Sequence, residues 1–217
     1  MALLHLVKDF LDHITVYCVR QEAIYPETQA TIDWARSLAP NFIEIVSERP
    51  PNSLPSDVVP VRNTQMGHAV EHRQGLEILD RYVCCWYTIM EPLEKRMFAD
   101  GITRVLRGQK TADRYKGPMM SGTVVAGIEY LFPLERWTDE QVFAYLRENE
   151  LPIPPYYGEL SGGLDCIGCT AWLEEGRLKY LKRAHPEIAE NTLKGIRVIA
   201  ETLRPYVATI EGACDAH

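Results

Sequence analysis

The 217-residue chain has no apolar run long enough to cross a bilayer as a helix, which sets aside the helical membrane-protein classes. It is also short of positive charge. Against 30 Asp and Glu stand 23 Lys and Arg, for a formal net charge of −7 and a pI near 5.4. General nucleic-acid binders carry a basic stripe that releases counterions, so this balance disfavours RNA or DNA as a large partner. Only a local basic pocket is left open. No internal repeat or low-complexity tract is visible, which argues against solenoids and disordered linkers. The opening MALLHLVKDF is too short and too charged for the apolar core of a secretory leader, and the cytoplasm is the expected compartment. What is present is ordinary: 46 % hydrophobic and 24 % charged residues, enough to bury the core of one α/β domain.

Periodicity predicts alternating elements. Leu3, Leu4, Leu6, Val7, Phe10 and Leu11 line one face of an opening helix, followed by a β-branched strand over 14–19. Pro26 begins a helix over 26–39, and 42–47 reads as a second strand. Helix, strand, helix, strand implies a parallel sheet with crossover helices. Residues 48–65 form a loop, 67–80 and 84–99 two helices, 101–108 a strand and 123–134 a strand-like stretch. Thr138 is placed as the N-cap of a helix with acidic residues in its first turn. Beyond Cys169 the chain is helix-forming, with breaks expected at His185-Pro186 and Arg204-Pro205. The expected division is an α/β domain over 1–172 and a helical C-terminal extension over 173–217.

The stretch SGGLDCIGCTAW, 161–172, offers two chemistries. Its glycines resemble a phosphate-gripping loop, but such a loop needs a strand before it and a helix N-terminus after it. Here a proline-rich extended segment precedes it and Cys166 follows Asp165, so a glycine-rich turn is expected instead. The Cys166-x-x-Cys169 pair gains from a second pair, Cys84-Cys85, about 80 residues upstream. In a reducing compartment grouped cysteines point to metal or redox chemistry rather than disulfides. Four thiolates in two pairs suit a tetrahedral metal or the corners of a cubane cluster. Taken alone, the adjacent pair would also pack as two small hydrophobes. His68 and His72 lie one helical turn apart, and with His185 they lack a third ligand at matching spacing, so a surface face is expected. Trp34, Trp86, Trp137 and Trp172 are expected to pack in the core or between helices. A basic loop over 107–116 gathers Arg107, Lys110, Arg114 and Lys116 around Gly108, a composition suited to phosphate or sulfate oxygens.

Together these motifs resemble the phosphoadenosine/adenosine phosphosulfate reductases of the adenine-nucleotide α-hydrolase-like superfamily. The CC…CxxC pattern is similar to the [4Fe–4S] signature of the cluster-bearing members. The stretch from Phe132 to Tyr157 matches a family segment at Pro133, Leu134, Trp137, Val142, Tyr145, Leu146, Leu151, Pro152, Pro155 and Tyr157, and YPET at 25–28 resembles the family's FPET. The resemblance covers residues 1–172. It implies an adenine nucleotide phosphosulfate as substrate, tilted toward adenylylsulfate by a cluster, with Arg107, Gly108, Lys110 and Arg114 binding it. Cys84, Cys85, Cys166 and Cys169 are implied as ligands of a [4Fe–4S] cluster, with Zn²⁺ the alternative. The family reaction is attack by a cysteine thiolate on the sulfate sulfur, releasing the adenosine phosphate; thioredoxin or glutaredoxin then frees sulfite.

Three departures stand beside the resemblance. The family's first strand and SGGKDS loop precede a helix like the one this chain opens on, so a late-placed start or a shortened gene is expected, and nucleotide affinity with it is open. VRQE at 19–22 replaces a small-residue turn. The tail EGACDAH keeps a Cys214-x-x-His217 spacing without the family's flanking residues, so no nucleophile is assigned. Two other functions remain open: a non-catalytic, metal- or cluster-stabilised relative, and a sulfur-transfer enzyme acting on nucleic acid.

Overall fold

The computed structural model describes residues 1–55, 78–113, 119–160, 162–173 and 176–215. Two compact units emerge, one of 1–18, 26–45 and 93–154, the other of 19–25, 46–92 and 155–217.

The fold is α/β. After a short helix α1 (Ala2–Leu6) and a 3₁₀ stretch, β1 (Val16–Gln21) leads through α2 (Pro26–Leu38) to β2 (Phe42–Ser47). The two strands pair, and Val16 N–H donates to the Asn41 carbonyl at 2.8 Å, start against start, as in a parallel β–α–β crossover. A second sheet has the order β3-β5-β4, from β3 (Arg104–Leu106), β4 (Thr123–Val125) and β5 (Ile128–Leu131). β3 pairs parallel with β5, and β4 closes the edge antiparallel. The stretch expected as one strand over 123–134 is thus a hairpin. Ala126 and Gly127, at φ 48° and 81°, form its two-residue turn, and positive φ at both positions matches the twist of the flanking strands.

In the first unit, Met97, Ile128, Tyr130 and Phe132 form one apolar cluster, and Ala2, Leu134 and Leu146 another. α5 (Asp139–Glu148) starts where expected: Thr138 and Gln141 cap it reciprocally, at 3.2 and 2.8 Å.

In the second unit, Asp80 caps α3 (Arg81–Cys85), accepting from the Tyr82 and Val83 N–H groups. A π-helical turn over Trp86–Met90 follows, then α4 (Glu91–Ala99), which ends in the first unit. The helix expected to begin at the cysteine pair therefore begins three residues earlier, because Asp80 supplies the cap. The helix expected over 67–80 falls largely outside the described residues; at its end Leu79 is extended and bridges to Ser53. α6 (Arg177–Ala184) and α7 (Pro186–Asp215) break at His185-Pro186 as expected, but α7 runs through Pro205 without ending. Pro205 lies on the exposed side of the helix, where its missing N–H costs least. Tyr25, Leu164 and Leu181 anchor this unit's core, and Leu54, Ile78 and Ile199 form a second cluster. Among the described residues no helix is long and apolar enough to cross a membrane.

Candidate four-cysteine site

The second unit brings all four cysteines of the two pairs into one neighbourhood. Cys84 and Cys85 end α3, while Cys166 and Cys169 flank a turn in which Gly168 takes φ 77° and Cys169 N–H donates to the Cys166 carbonyl at 3.3 Å. Positive φ at 168 suits glycine, which has no Cβ to clash there. None of the four forms a disulfide.

Backbone and side-chain contacts hold the two segments in place. Asn52 N–H donates to Cys84 Sγ at 3.4 Å. The buried Thr88 hydroxyl donates to the Cys84 carbonyl at 2.8 Å, and the buried Thr170 hydroxyl, just past the CxxC, donates to the Ser53 carbonyl. Ser53 and Thr170 are 1 % and 5 % exposed, so few waters compete for that bond.

The thiols feel one another. Burial pushes Cys84 up, opposed by the Asn52 N–H and aided by Cys169. Burial also pushes Cys85 up, to about 11, with Cys84 and then Cys169 adding to it. Cys85 leaves much of its residue surface exposed, yet its sulfur sits deep enough among protein atoms and other thiols to lose its hydration. Cys166 is raised first by burial, then by Cys169, Asp165, Cys85 and Cys84. The cysteines stand at the fourth and fifth positions of α3, past its first turn, and burial dominates.

The donor set fits a thiolate-ligated group: four sulfurs from two pairs, one of them already accepting an N–H. As they stand, no three His, Cys, Asp or Glu side chains among the described residues come close enough to hold a metal ion. Binding would have to draw the two pairs together. Sequence reasoning missed the supporting residues Asn52, Thr88 and Thr170; the one legible signal was Thr88, four residues after Cys84.

The basic loop belongs to the first unit. Arg107 N–H continues the sheet by donating to the Leu131 carbonyl at 2.9 Å, and its side chain is half-buried. A Cβ at Gly108 would meet Leu134 and Leu3 at 3.8 and 3.9 Å, ordinary contact, so nothing among the described residues requires glycine there. Lys110 is engaged by Asp113 and, at 3.2 Å, by Asp139. Arg114, Lys116, His68, His72 and His217 lie outside the described residues. His185 sits against the Tyr25 and Tyr180 rings, at centroid distances of 5.6 and 6.1 Å, away from any described ligand cluster. Trp34, Trp137 and Trp172 are half-buried, but Trp86 is 43 % exposed and so is not the packing residue expected.

Residues 1–172 match the family model described as the phosphoadenosine phosphosulfate reductase domain. The chain belongs to that family. An adenosine 5′-phosphosulfate reductase from Salinibacter ruber is 27 % identical over 176 residues, which is 78 % of this chain and 63 % of that protein. A protein of the same name from Allochromatium vinosum is 25 % identical over 97 residues, covering 44 % of this chain and 38 % of its own length. This family member thus spans less than two thirds of either relative. A phosphoadenylyl-sulfate reductase from Candida auris, solved as a phosphate complex, superposes with a TM-score of 0.47 at 18 % identity, covering 75 % of this chain and 74 % of that one.

Proposed function

We propose that this phosphosulfate-reductase-family chain is an oxidoreductase acting on an adenine nucleotide phosphosulfate, with an iron–sulfur cluster held by Cys84, Cys85, Cys166 and Cys169. The observation that carries the reading is that one unit holds both pairs against the same short segment: Asn52 N–H donates to Cys84 Sγ, and Thr170, next to Cys169, donates to the Ser53 carbonyl. Family membership and the names of the relatives support the substrate class. When bound, a cubane in this family's setting supplies fixed charge rather than the reducing electrons.

The chain's own contribution is to hold the sulfurs: Thr88 and Thr170 fix the backbone around each pair, and Asn52 places a donor on one sulfur. In the first unit Arg107, Gly108 and Lys110, with Arg114, are the proposed phosphate and sulfate contacts. Thioredoxin or glutaredoxin is the proposed reductant and the cytoplasm the proposed compartment. The proposed division remains an α/β domain over 1–172 with the extension 173–217 added to it.

A second reading rests on Lys110. Two carboxylates already engage it, which favours a relative that keeps a cluster or zinc for stability without turning over a nucleotide.

The test is anaerobic purification followed by a visible spectrum, iron, sulfide and zinc analysis, and calorimetric titration with adenylylsulfate. About four irons and four sulfides per chain, lost in both Cys84→Ser and Cys166→Ser, with saturable nucleotide binding, is the expected result. One zinc and no nucleotide binding would establish the second reading instead.

A further inference from the structure

Arg81 is the first residue of α3 and only 8 % exposed, a rare position for a side chain that is always charged. It stands three and four residues before Cys84 and Cys85, so it shares their helix face. Its guanidinium carbon lies 4.2 Å from the centre of the Tyr82 ring and 4.4 Å from the centre of the Trp172 ring. Trp172 is the third residue after Cys169. One cation therefore stacks on an aromatic from each cysteine-bearing segment, and that contact spans from the helix of the CC pair to the chain leaving the CxxC turn. Cation–π contacts of this kind strengthen as water is excluded.

The charge balance leads to the same residue. Asp80 caps the CC helix, and four thiolate ligands would add negative charge beside it. Burying such an assembly without compensation is costly. Arg81, one turn before the cysteines on the same helix, is placed to offset that charge, and Arg49 stacks 4.6 Å from the Tyr87 ring centre. Arg49 is half-buried and more open to screening than Arg81.

We propose that Arg81 is a positioning residue of the four-cysteine site: clamped between Tyr82 and Trp172, it docks the CxxC segment against the CC helix and sets a fixed positive charge beside the sulfurs. This rests on the four-cysteine reading for its cluster arm, while the docking arm holds for the metal-free protein as well.

The experiment uses the full chain with Arg81→Met, Arg81→Lys and Trp172→Leu, each checked for folding by circular dichroism. In metal-free protein, mild oxidation followed by peptide mass spectrometry reads the yield of disulfides crossing from 84/85 to 166/169. In iron-loaded protein, release to a chelator and the midpoint potential are read. Arg81→Met and Trp172→Leu should cut the cross-pair yield severalfold and speed iron release by about 10- to 100-fold, the range typical when a support of a metal ligand is removed. Arg81→Met should also move the potential negative, because an added electron loses its nearby cation. Arg81→Lys should restore the potential while leaving the cross-pair yield low, a split that a purely structural role would not produce. Wild-type yield, release and potential in folded Arg81→Met would overturn the proposal. If that variant does not fold, wild-type cross-pair yield in Arg81→Lys overturns it. If the unsubstituted chain takes up no iron, the cluster reading fails, and the cross-pair yield alone decides whether Arg81 docks the segments.

Discussion

Lys110 Nζ lies 3.2 Å from Asp139 Oδ1 and also binds Asp113, so the lysine that the basic loop would offer to an anion is already matched by two carboxylates. Its side chain is 13 % exposed, against 70 % for Asp139. The pair ties the loop to the first turn of α5, whose N-terminus also favours the Asp139 charge. A phosphosulfate group drawn to Lys110 must compete with both partners. Asp139→Asn should therefore tighten adenylylsulfate binding and Lys110→Met weaken it. A half-exposed ion pair is worth about 0.2–1 kcal/mol, so the tightening should not exceed about fivefold. Calorimetric titration of both variants measures this, and equal affinity in the two would remove Lys110 from the proposed contacts.

The same lysine and a tyrosine in β1 set an alkaline limit. Burial alone would lower Lys110, but hydrogen bonds and charge from Asp113 and Asp139 outweigh it and raise it. Tyr17, whose hydroxyl donates to Asp100 at 2.6 Å, is pushed up to about 12 by burial, then by the Asp100 hydrogen bond and charge. Both folded values lie above the unfolded ones, so both groups contribute stability that is complete below about pH 10 and is lost as pH rises through the folded values. The melting temperature should fall between pH 10 and 12, and fall less steeply in a Tyr17→Phe, Lys110→Met double variant. Melting curves from pH 8 to 12 decide it; parallel slopes would show that these two groups do not govern the alkaline limb.

Thr170 makes a stability prediction for the second unit. Its hydroxyl donates to the Ser53 carbonyl, and both residues are buried. Valine keeps the shape but leaves that carbonyl without its donor. Such an orphaned buried acceptor costs about 1–3 kcal/mol. Thr170→Val should lower the urea midpoint with little change in the slope of the transition, and Thr170→Ser should stay close to wild type. A Thr170→Val midpoint equal to wild type would show that water replaces the hydroxyl there.

Much of this was legible in the sequence because it follows from local rules. The β1–α2–β2 crossover came from β-branched runs and Pro26, and α5 from its Thr138 cap. The CC and CxxC motifs are visible in spacing alone. Tertiary context decided the rest. The stretch 123–134 has strand-like residues throughout, and only the positive φ of Ala126 and Gly127 makes it a hairpin. The helix of the CC pair starts at Asp80 rather than at the cysteines, because a cap outweighs an apolar pattern. Pro205 reads as a stop, yet α7 continues through it on the exposed side. The Arg81–Trp172 stack joins residues 91 positions apart in sequence, a contact that no periodicity displays.

Cys214 closes α7 with its side chain exposed, after two turns in which every described residue from Val207 onward is exposed. The thiolate, not the thiol, attacks disulfide reagents, so accessibility and protonation together set the rate. Cys84 is buried, and Cys85, though exposed in part, is held protonated at neutral pH by its rise to about 11. Cys166 is raised as well, and Cys18 and Cys169 are half-buried. In folded, metal-free protein at pH 7 the fastest phase of an Ellman titration should therefore belong to Cys214 and vanish in Cys214→Ser. That substitution should leave iron uptake by Cys84, Cys85, Cys166 and Cys169 unchanged, since Cys214 lies outside the proposed ligand set. If Cys214→Ser lowered the iron content, the ligand set proposed for the cluster would have to be redrawn to include the tail.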